Sequence, residues 1–413
     1  MLAASILLAT LGQPPPAQTA AYARWMASTL TFGSLSSTST RSDASTPGDA
    51  FGNPYSFADI GGVPYLYASD LDASMIDLFT AATANPRGTL ALSDATLTNP
   101  NGTSVVADCE IGEGYGDPEN PPCARLVLSG VFSKVPVGSD EEAAGKAALL
   151  ARHPFIANLP DDHSFYVAKI SVDAIWLIAA YGGASIVAPE DYFGAAAPSV
   201  EEAAASVAKR VSAAKAKKAA AAERRRGGDG PPPFFKQPET ARWMVKTLTY
   251  TFLATTSTRT EGSKVGDAFG NPYGIADVDG VPYLYGTNMD ASFTDLFVGH
   301  NSSRGTLAFS EATLSGDALP KACTPAPGTN GDPENPPCAR LVLSGVFSKV
   351  AANSTEEAAA KQALFARHPS YVNYPAEHGF YVAKLNIDGI WLIAMYGGAA
   401  NIPVADYMSV KSA

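Results

Sequence analysis

One stretch of twenty residues occurs twice in this chain without a single difference, and it constrains the fold more than any other feature. It reads Gly-Asp-Pro-Glu-Asn-Pro-Pro-Cys-Ala-Arg-Leu-Val-Leu-Ser-Gly-Val-Phe-Ser-Lys-Val, from Gly116 to Val135 and again from Gly331 to Val350. A Pro-rich turn leads through a cysteine into an apolar run, and the Ser-Gly within that run predicts a strand that bends or bulges. A repeat of this length predicts two copies of one domain.

Each copy shows the same order of predicted elements. A helix opens the copies at 18–30 and at 240–248, where the signature Ala-Arg-Trp-Met recurs. Segments 31–41 and 250–259 are rich in Ser and Thr or in aromatic residues, a composition that favours strands with one wet face. The later predictions are a second strand beginning near 50–55 and 268–273, a third at 63–67 and 281–285, helices capped by Asp72 and Asp290, and extended structure from Arg87 and Arg304.

The second half of each copy begins with a helix that has a capping box. Ser139 with Glu142, and Ser354 with Glu357, have the spacing of that motif, and both helices are predicted to stop at a His-Pro pair. The closing blocks, 165–183 and its counterpart 380–398, contain Ile-Trp-Leu-Ile and end in Tyr-Gly-Gly. We expect two strands in each, in a hairpin-like or bent arrangement.

The four cysteines form one pair in each copy, Cys109 with Cys123 and Cys323 with Cys338. Four cysteines allow three pairings, and pairing within a copy closes the shortest loops. A disulfide that closes a loop of about fifteen residues contributes roughly 3 kcal/mol in the chain-entropy model. Buried free thiols are the alternative, and zinc is disfavoured because no close Cys-x-x-Cys pair is present.

Composition and the N-terminal residues indicate an exported protein. A net charge of -11 argues against a general nucleic-acid binder, and 46% hydrophobic residues suffice for a core in each copy. The run Leu2 to Leu11 resembles the apolar region of a signal peptide, although no basic residue precedes it. The most apolar later stretch, Phe165 to Tyr181, contains Lys169 and Asp173, so no spanning helix is predicted.

A basic segment separates the two copies. Ser199 to Arg226 holds eight basic and three acidic residues, a net +5, and its Ala-Lys composition predicts a solvated helical spacer. A nucleic-acid or membrane arm is the alternative, and the triplet at 224–226 is a candidate processing site. The predicted organisation is a signal peptide and Pro-rich lead at 1–17, a first domain at 18–194, a linker at 195–237 and a second domain at 238–413.

Taken together, these residues resemble the CREG family, secreted glycoproteins with the FMN-binding split barrel of the pyridoxamine-phosphate-oxidase type. The second copy repeats the pieces that carry the resemblance. In the first copy they are Gly-Val-Pro-Tyr at 62–65, Asn-Pro-Arg-Gly-Thr-Leu at 85–90, Cys-Ala-Arg-Leu-Val-Leu-Ser-Gly at 123–130, Ala-Arg-His-Pro at 151–154, Phe-Tyr-Val-Ala-Lys-Ile at 165–170, Ile-Trp-Leu at 175–177 and Tyr-Gly-Gly at 181–183.

The resemblance implies a mainly β fold with flanking helices (α+β), in which each copy is a six-stranded Greek-key barrel. Family members pair as homodimers whose interface corresponds to the flavin site of the related enzymes. A chain with two barrels in tandem is therefore expected to form a single-chain pseudodimer. The competing arrangement pairs two chains domain by domain.

The flavin-binding relatives hold the cofactor with basic and hydroxyl side chains near the dimer seam. The candidates by resemblance are Arg41, Arg87 and Thr89 in the first copy, with Arg259, Arg304 and Thr306 in the second. The alternative is that these arginines are solvated charges at strand ends. CREG-like members are regarded as lacking flavin, and this sequence has no Gly-rich phosphate loop, so no cofactor is expected although FMN is possible.

Four histidines, each with a counterpart in the other copy, are candidate ligands of a metal ion or a haem iron. His153 and His163 lie ten residues apart, as do His368 and His378, and Asp162 or Glu377 adjoins the second of each pair. Such a pair suits a metal ion or a haem iron. The alternative is that the first histidine of each pair ends a helix and interacts with its dipole.

No catalytic set is evident, and the functional prediction is binding. No Gly-x-Ser-x-Gly elbow occurs, and paired carboxylates such as Glu141 and Glu142 fit a helix start. Sequons stand at Asn101, Asn301 and Asn353. We expect a secreted or lysosomal glycoprotein that binds a receptor or another glycoprotein. The alternatives are an FMN-dependent oxidoreductase that uses the seam between the barrels and a haem-handling protein.

Overall fold

A computed structural model describes residues 14–97, 109–111, 115–116, 118–196, 231–299, 303–314, 319–323 and 332–411. Several sequence predictions fall outside these residues: the apolar lead at 2–11, the basic segment at 199–226, Asn101 and Asn301.

The first copy contains four helices and ten strands among its described residues. The helices are α1 (Thr19–Thr29), α2 (Ala73–Met75, continued as a π-helix Ile76–Thr80), α3 (Asp140–Arg152) and α4 (Pro189–Gly194). The strands are β1 (Phe32–Thr38), β2 (Ala50–Ser56), β3 (Ala58–Ile60), β4 (Val63–Ala68), β5 (Arg87–Ser93), β6 (Glu110–Ile111), β7 (Tyr115–Gly116), β8 (Arg125–Lys134), β9 (Tyr166–Ile178) and β10 (Ser185–Val187).

The second copy repeats this order, without a described counterpart of the β6–β7 ladder. Its helices are α5 (Gln237–Thr247), α6 (Ala291–Phe297), α7 (Thr355–Arg367) and α8 (Val404–Ser409). Its strands are β11 (Tyr250–Thr256), β12 (Ala268–Gly274), β13 (Ala276–Val278), β14 (Val281–Gly286), β15 (Arg304–Ser310), β16 (Arg340–Lys349), β17 (Tyr381–Ile393) and β18 (Ala400–Asn401).

Each copy forms one antiparallel sheet with the same strand order. In the first copy the order is β2-β1-β5-β8-β9-β4-β3, with β10 paired to β9, and in the second it is β12-β11-β15-β16-β17-β14-β13, with β18 paired to β17. Six of the strands in each sheet are long and two are short. The prediction of a mainly β fold with flanking helices, present twice, is therefore confirmed, and short strands add to the expected six.

The Ser-Gly within the repeated stretch marks a β-bulge, as predicted. Ser129 pairs with Ala174 while Gly130 pairs with Val172, so that Asp173 on β9 is left without a partner in the ladder. A Cβ atom on Gly130 would lie 2.1 Å from the carbonyl oxygen of Ser171, which explains the glycine. The same shift occurs between Ser344 and Gly345 in the second copy.

The closing block differs from the prediction of two strands. Residues 166–178 form one continuous strand of 13 residues, and the short return strand β10 begins only at Ser185. The bulge bends β9 so that a single strand passes along the whole sheet, and no turn is required within the block.

The helix caps follow the sequence. The Ser139 hydroxyl accepts a hydrogen bond from the Glu142 amide at 3.1 Å, and the Glu142 carboxylate accepts one from the Gly138 amide at 2.6 Å. Asp72 caps α2 by accepting from the Ser74 amide at 2.8 Å. The helices α3 and α7 end just before His153 and His368.

Both predicted disulfides are present, Cys109 with Cys123 and Cys323 with Cys338, so the alternative of free thiols is wrong. Beside them lie the carboxyl groups of Asp94 and Glu311. Burial raises the pKa of each carboxyl group to about 7, in Asp94 despite a hydrogen bond from the Tyr22 hydroxyl at 2.8 Å.

Within the described ranges, no helix has both the length and the apolar character needed to cross a membrane.

The buried carboxyl group of Asp94 predicts a pH dependence of stability. Its folded pKa of about 7 lies above the unfolded value of about 3.9, so the folded state binds the proton more tightly and stability falls as pH rises between these values. Relative to wild type, Asp94→Asn should therefore gain stability from about pH 4 to about pH 7.5, by on the order of 2 kcal/mol, in urea unfolding.

The matched control is Asp70→Asn. Asp70 is exposed; the little burial it has favours the neutral form, yet hydrogen bonds from Lys134 and Tyr166 outweigh this and lower its pKa, so its contribution has the opposite sign. This variant should lose stability relative to wild type as pH rises from about 3 to about 5. Parallel pH profiles for wild type and Asp94→Asn would contradict the prediction.

Candidate functional site

The two copies meet along the strands β2 and β5 of the first and β12 and β15 of the second. The Gly52 amide donates to the Thr306 hydroxyl at 2.9 Å, and the Gly270 amide donates to the Thr89 hydroxyl at 3.1 Å. A Cβ atom on Gly52 would lie 3.2 Å from that of Ala308, so the glycine allows the close approach. We call this contact region the seam.

Two arginine clusters flank the centre of the seam. Arg87 donates to Asp173 of its own copy at 2.9 Å and to Asp267 of the other copy at 2.8 Å. Asp173 is the residue that the bulge leaves unpaired in the ladder. Arg87 therefore links the bulge in β9 of its own copy to the opposite copy.

The second cluster is the counterpart, with one difference. Arg304 donates to Asp388 and to Asp49, both at 2.7 Å, and also to the Thr46 hydroxyl at 2.9 Å. The residue equivalent to Thr46 is Lys264, and its ammonium group pairs with Asp173 at 2.6 Å.

These pairs change the pKa of the aspartates. Burial favours the neutral form of Asp173, yet hydrogen bonds from Arg87 and Lys264 outweigh it and lower the pKa. For Asp49 the burial outweighs the hydrogen bond from Arg304, and the pKa is raised. The two clusters also differ in formal charge, because Lys264 stands in the first cluster where the second has Thr46.

The structure places four of the six residues proposed for flavin contact at the seam itself, where Arg87, Arg304, Thr89 and Thr306 bind groups of the opposite copy. The remaining two bind buried aspartates of their own copies. Arg41 pairs with Asp77 at 3.2 Å and lies 4.2 Å above the ring of Phe51, and Arg259 pairs with Asp295 in the same way. Flavin contact by these residues stays a prediction.

Aromatic rings complete the seam on both sides. Phe51 meets Trp391 edge-on with centroids 5.9 Å apart, and Phe269 meets Trp176 at 5.7 Å. The guanidinium of Arg340 lies 5.9 Å from the Trp391 centroid. Edge-to-face contacts of this kind stabilise an interface beyond the apolar area they bury.

A cavity of about 810 Å³ opens at one end of the seam, and both copies line it. Most of its wall is apolar or aromatic, and a few charged or hydroxyl groups lie within it. Its lining includes Tyr55, Tyr67, Asp72, Ile156, Leu159, His163 and Phe165 of the first copy and Glu334, Arg340 and Ile393 of the second. We call it the seam cavity.

A polar network supports the inner end of the seam cavity. The Ser56 amide donates to Glu334 at 3.0 Å and the Ser56 hydroxyl to Asp332 at 2.6 Å. His153, only 3% exposed, places Nδ1 2.8 Å from Asp332 and Nε2 3.0 Å from the Phe57 carbonyl. Both ring nitrogens face oxygen acceptors, which leaves neither available to a metal ion.

Enclosure perturbs the ionisable groups of the seam cavity. Burial raises the pKa of Glu334 well above its ordinary value, the nearby Asp332 and Asp72 raise it further, and Arg340 opposes them. Burial beside Asp72 likewise raises the pKa of the Tyr55 hydroxyl. Strong perturbation within a concave site is typical of functional positions.

At the equivalent place on the other side of the seam, aromatic side chains occupy the space. Tyr371 and Tyr374 stand where the first copy has Ile156 and Leu159, with ring centroids 4.9 Å apart, and Tyr371 donates to Glu119, the counterpart of Glu334. Tyr285 and Phe380 stack at 5.3 Å beside them.

A second difference accompanies the tyrosines. A Cβ atom on Gly274 would lie 2.1 Å from the Tyr371 hydroxyl, and the equivalent residue in the first copy is Ser56. Gly274 leaves room for the Tyr371 hydroxyl, whereas the first copy combines Ser56 with the smaller Ile156. A serine and a tyrosine together at these two positions would clash.

Among the described residues, no histidine joins a group of three or more metal-binding side chains. His163 lies at the rim of the seam cavity, and its Nε2 is 3.9 Å from Asp162. His368 places Nε2 3.0 Å from the Ile275 carbonyl. One group of metal-binding residue types was found among the described residues, Glu311 with Cys323 and Cys338, but both cysteines are in the disulfide.

Sequence reasoning missed Glu334 and Arg340 as site residues. Both belong to the stretch that is identical in the two copies. The pattern of that stretch predicts a strand but indicates no role for its charged residues. Nothing local predicts that these side chains meet Ser56 and Asn53, because the contacts are made across the seam.

Comparison with known proteins identifies the family. The model of the family described as "CREG, beta-barrel" matches residues 14–194 and 232–409. This chain belongs to the CREG family.

Relatives of the CREG family match about one copy at a time. Protein CREG1 of Gallus gallus is 34% identical over 178 residues, which span 41% of this chain and 84% of that protein. Protein CREG1 of Homo sapiens is 31% identical over 186 residues, spanning 44% and 76%. Protein CREG2 of Mus musculus is 32% identical over 188 residues, spanning 44% and 59%.

Two solved structures share part of the architecture. A heme binding protein from Mycobacterium smegmatis has a TM-score of 0.33 and 23% identity, covering 43% of this chain and 61% of that one. HutZ from Vibrio cholerae, a heme storage protein, has a TM-score of 0.30 and 13% identity, covering 39% and 94%. At these TM-scores neither likeness says anything about function.

The arginine clusters predict how strongly the copies hold together. If a protease site is inserted into segment 199–226 and cut, the wild-type halves should stay associated. In Asp49→Ala/Asp267→Ala the arginines keep their partners within the copy but lose their carboxylate partners across the seam. Since both arginines are partly exposed, each lost pair should cost about 1 kcal/mol, and the halves should dissociate at least tenfold more readily.

Analytical ultracentrifugation of the cut protein measures this dissociation. Asp70→Ala is the control, because Asp70 pairs with Lys134 at an exposed position within one copy. Equal dissociation of the two variants would show that the clusters do not hold the seam.

Proposed function

We propose that this protein is a secreted or lysosomal CREG-like glycoprotein that acts by binding and not by catalysis, with its two barrels joined as a single-chain pseudodimer. The observation that carries the proposal is the reciprocal seam, in which Arg87 reaches Asp267 and Arg304 reaches Asp49. One chain thereby supplies both halves of the interface that two chains provide in a homodimer.

The charged groups of the seam cavity do not favour a flavin phosphate. A flavin phosphate requires several cationic or hydroxyl donors. The seam cavity instead presents two carboxylates, Glu334 and Asp72, beside one guanidinium, Arg340, whose Nη1 donates to the Asn53 side chain and to the Pro54 carbonyl, both at 3.3 Å. The arginines expected to contact flavin, Arg87 and Arg304 among them, are each paired with aspartates.

Export is supported by the disulfides and by the sequence. Disulfides form and persist in oxidising compartments, and each copy has one. The three sequons and the apolar N-terminal run agree with passage through the secretory pathway.

A protein or glycoprotein partner is part of the proposal. The two copies share their strands but differ in the loops before β2 and β12, as the exchange of Thr46 for Lys264 illustrates. Loops that differ on a common scaffold are the surfaces on which separate partners are recognised.

The absorption spectrum and the molar mass test the proposed function together. Purified protein should be colourless, without a flavin band or a Soret band, and light scattering should give the mass of one chain. A flavin band would favour the FMN-dependent oxidoreductase, and a Soret band the haem-handling protein. A mass of two chains would favour pairing domain by domain.

Asn353 is the glycosylation site that we expect to be used. It lies in an exposed turn with a φ of 61°, one residue before the cap of α7, and its side chain is accessible to the transferase. Protein from a eukaryotic secretory host should lose mass on treatment with a peptide N-glycosidase, and Asn353→Gln should lose one glycan. An unchanged glycan mass in this variant would contradict the assignment.

A further inference from the structure

We propose that the seam cavity binds one molecule of an arylalkylamine, with its ring among the aromatic side chains of the first copy and its ammonium group at Glu334. This inference rests on the proposed function, since the seam cavity exists only where the two copies meet.

The wall of the seam cavity suits a flat ring. Tyr67 and Phe165 lie parallel with centroids 5.2 Å apart, and Ile156, Leu159 and Ile393 complete an apolar surface. Aromatic faces attract both other rings and cations, because the ring quadrupole is negative on its face.

The charge within the seam cavity selects the ligand's polar group. One oxygen of Glu334 accepts from the Ser56 amide, and among the described residues no side chain pairs with it within 4 Å. Arg340 is 5% exposed and is turned toward Asn53 and Pro54.

A ligand cation would give Glu334 a direct ion pair, since Arg340 acts on Glu334 only from beyond ion-pair distance. The enclosure that raises the pKa of Glu334 penalises its ionised form, and an ammonium group would offset that penalty by pairing with it. A carboxylate or phosphate on the ligand would instead face Glu334 and Asp72.

The chain should take one such ligand and not two. At the equivalent place Glu119 already has a partner, because the Tyr371 hydroxyl of the second copy donates a hydrogen bond to it. Replacing Ser56 and Ile156 by the residues of the second copy should therefore close the seam cavity. The native fold accepts this combination on its other side.

Three probes with the same ring separate charge from shape. Titration calorimetry of the full chain with tryptamine, the neutral analogue tryptophol and the anionic indole-3-propionate should give one tryptamine site, weaker tryptophol binding and no indole-3-propionate binding. Glu334→Gln should weaken tryptamine binding about tenfold and leave tryptophol binding within about twofold, because it removes the charge and keeps the shape.

Two variants test the location. Ser56→Gly/Ile156→Tyr and, independently, Leu159→Tyr should each lower tryptamine affinity at least tenfold while leaving the thermal unfolding midpoint and the mass unchanged. Val137→Tyr is the control for an added tyrosine, because Val137 is 85% exposed and does not line the seam cavity.

The inference is overturned if indole-3-propionate binds as tightly as tryptamine, if both closing variants bind tryptamine like wild type, or if none of the probes binds at millimolar concentration. Such results in a colourless chain of single-chain mass would leave the proposed function standing. A flavin band or a mass of two chains would instead contradict the proposed function.

Discussion

The guanidinium of Arg87 is the point on which the arrangement of the two barrels depends. It is held by Asp173, which the bulge in β9 leaves without a ladder partner, and it reaches across to Asp267 of the other copy. Through Asp173, the bulge in one sheet thereby helps to hold the arginine that contacts the other sheet. Because Arg304 makes the reciprocal contacts, the seam is fixed from both sides and the copies cannot slide past each other without separating charges that are partly buried.

Around this fixed seam the two copies have become unequal. Four residues decide the difference: Ser56 and Ile156 on one side, Gly274 and Tyr371 on the other. The phenol ring of Tyr371 fills the space and bonds to Glu119, whereas the smaller Ile156 leaves a space beside Glu334. A homodimer has identical sides, and only a chain that encodes both halves separately can vary one of them.

Much of the fold was predictable because its determinants are local. The capping boxes at Ser139 and Ser354 need only residues three positions apart. The bulge was predicted from the local Ser-Gly pair, although the Ser171 carbonyl that requires Gly130 lies on the neighbouring strand β9. The number of strands in the closing block was predicted wrongly, since a bent strand and a hairpin have the same composition. The seam cavity was not predictable, because Glu334 and Ser56 are 278 positions apart in the chain.

The sequence by itself determined that one domain is present twice, that each copy is mainly β, that the cysteines pair within copies and that the family is CREG. The first three follow from repetition, spacing and turn chemistry, which act over short distances along the chain, and the family follows from the resemblance of the repeated motifs. Only the tertiary structure decided that the arginines repeated in both copies bind aspartates across a seam, and that Tyr371 bonds to Glu119 on one side of that seam while a cavity lies beside Glu334 on the other. These contacts depend on which side chains lie next to one another in space, and residues far apart in the chain become neighbours only after the two sheets have packed.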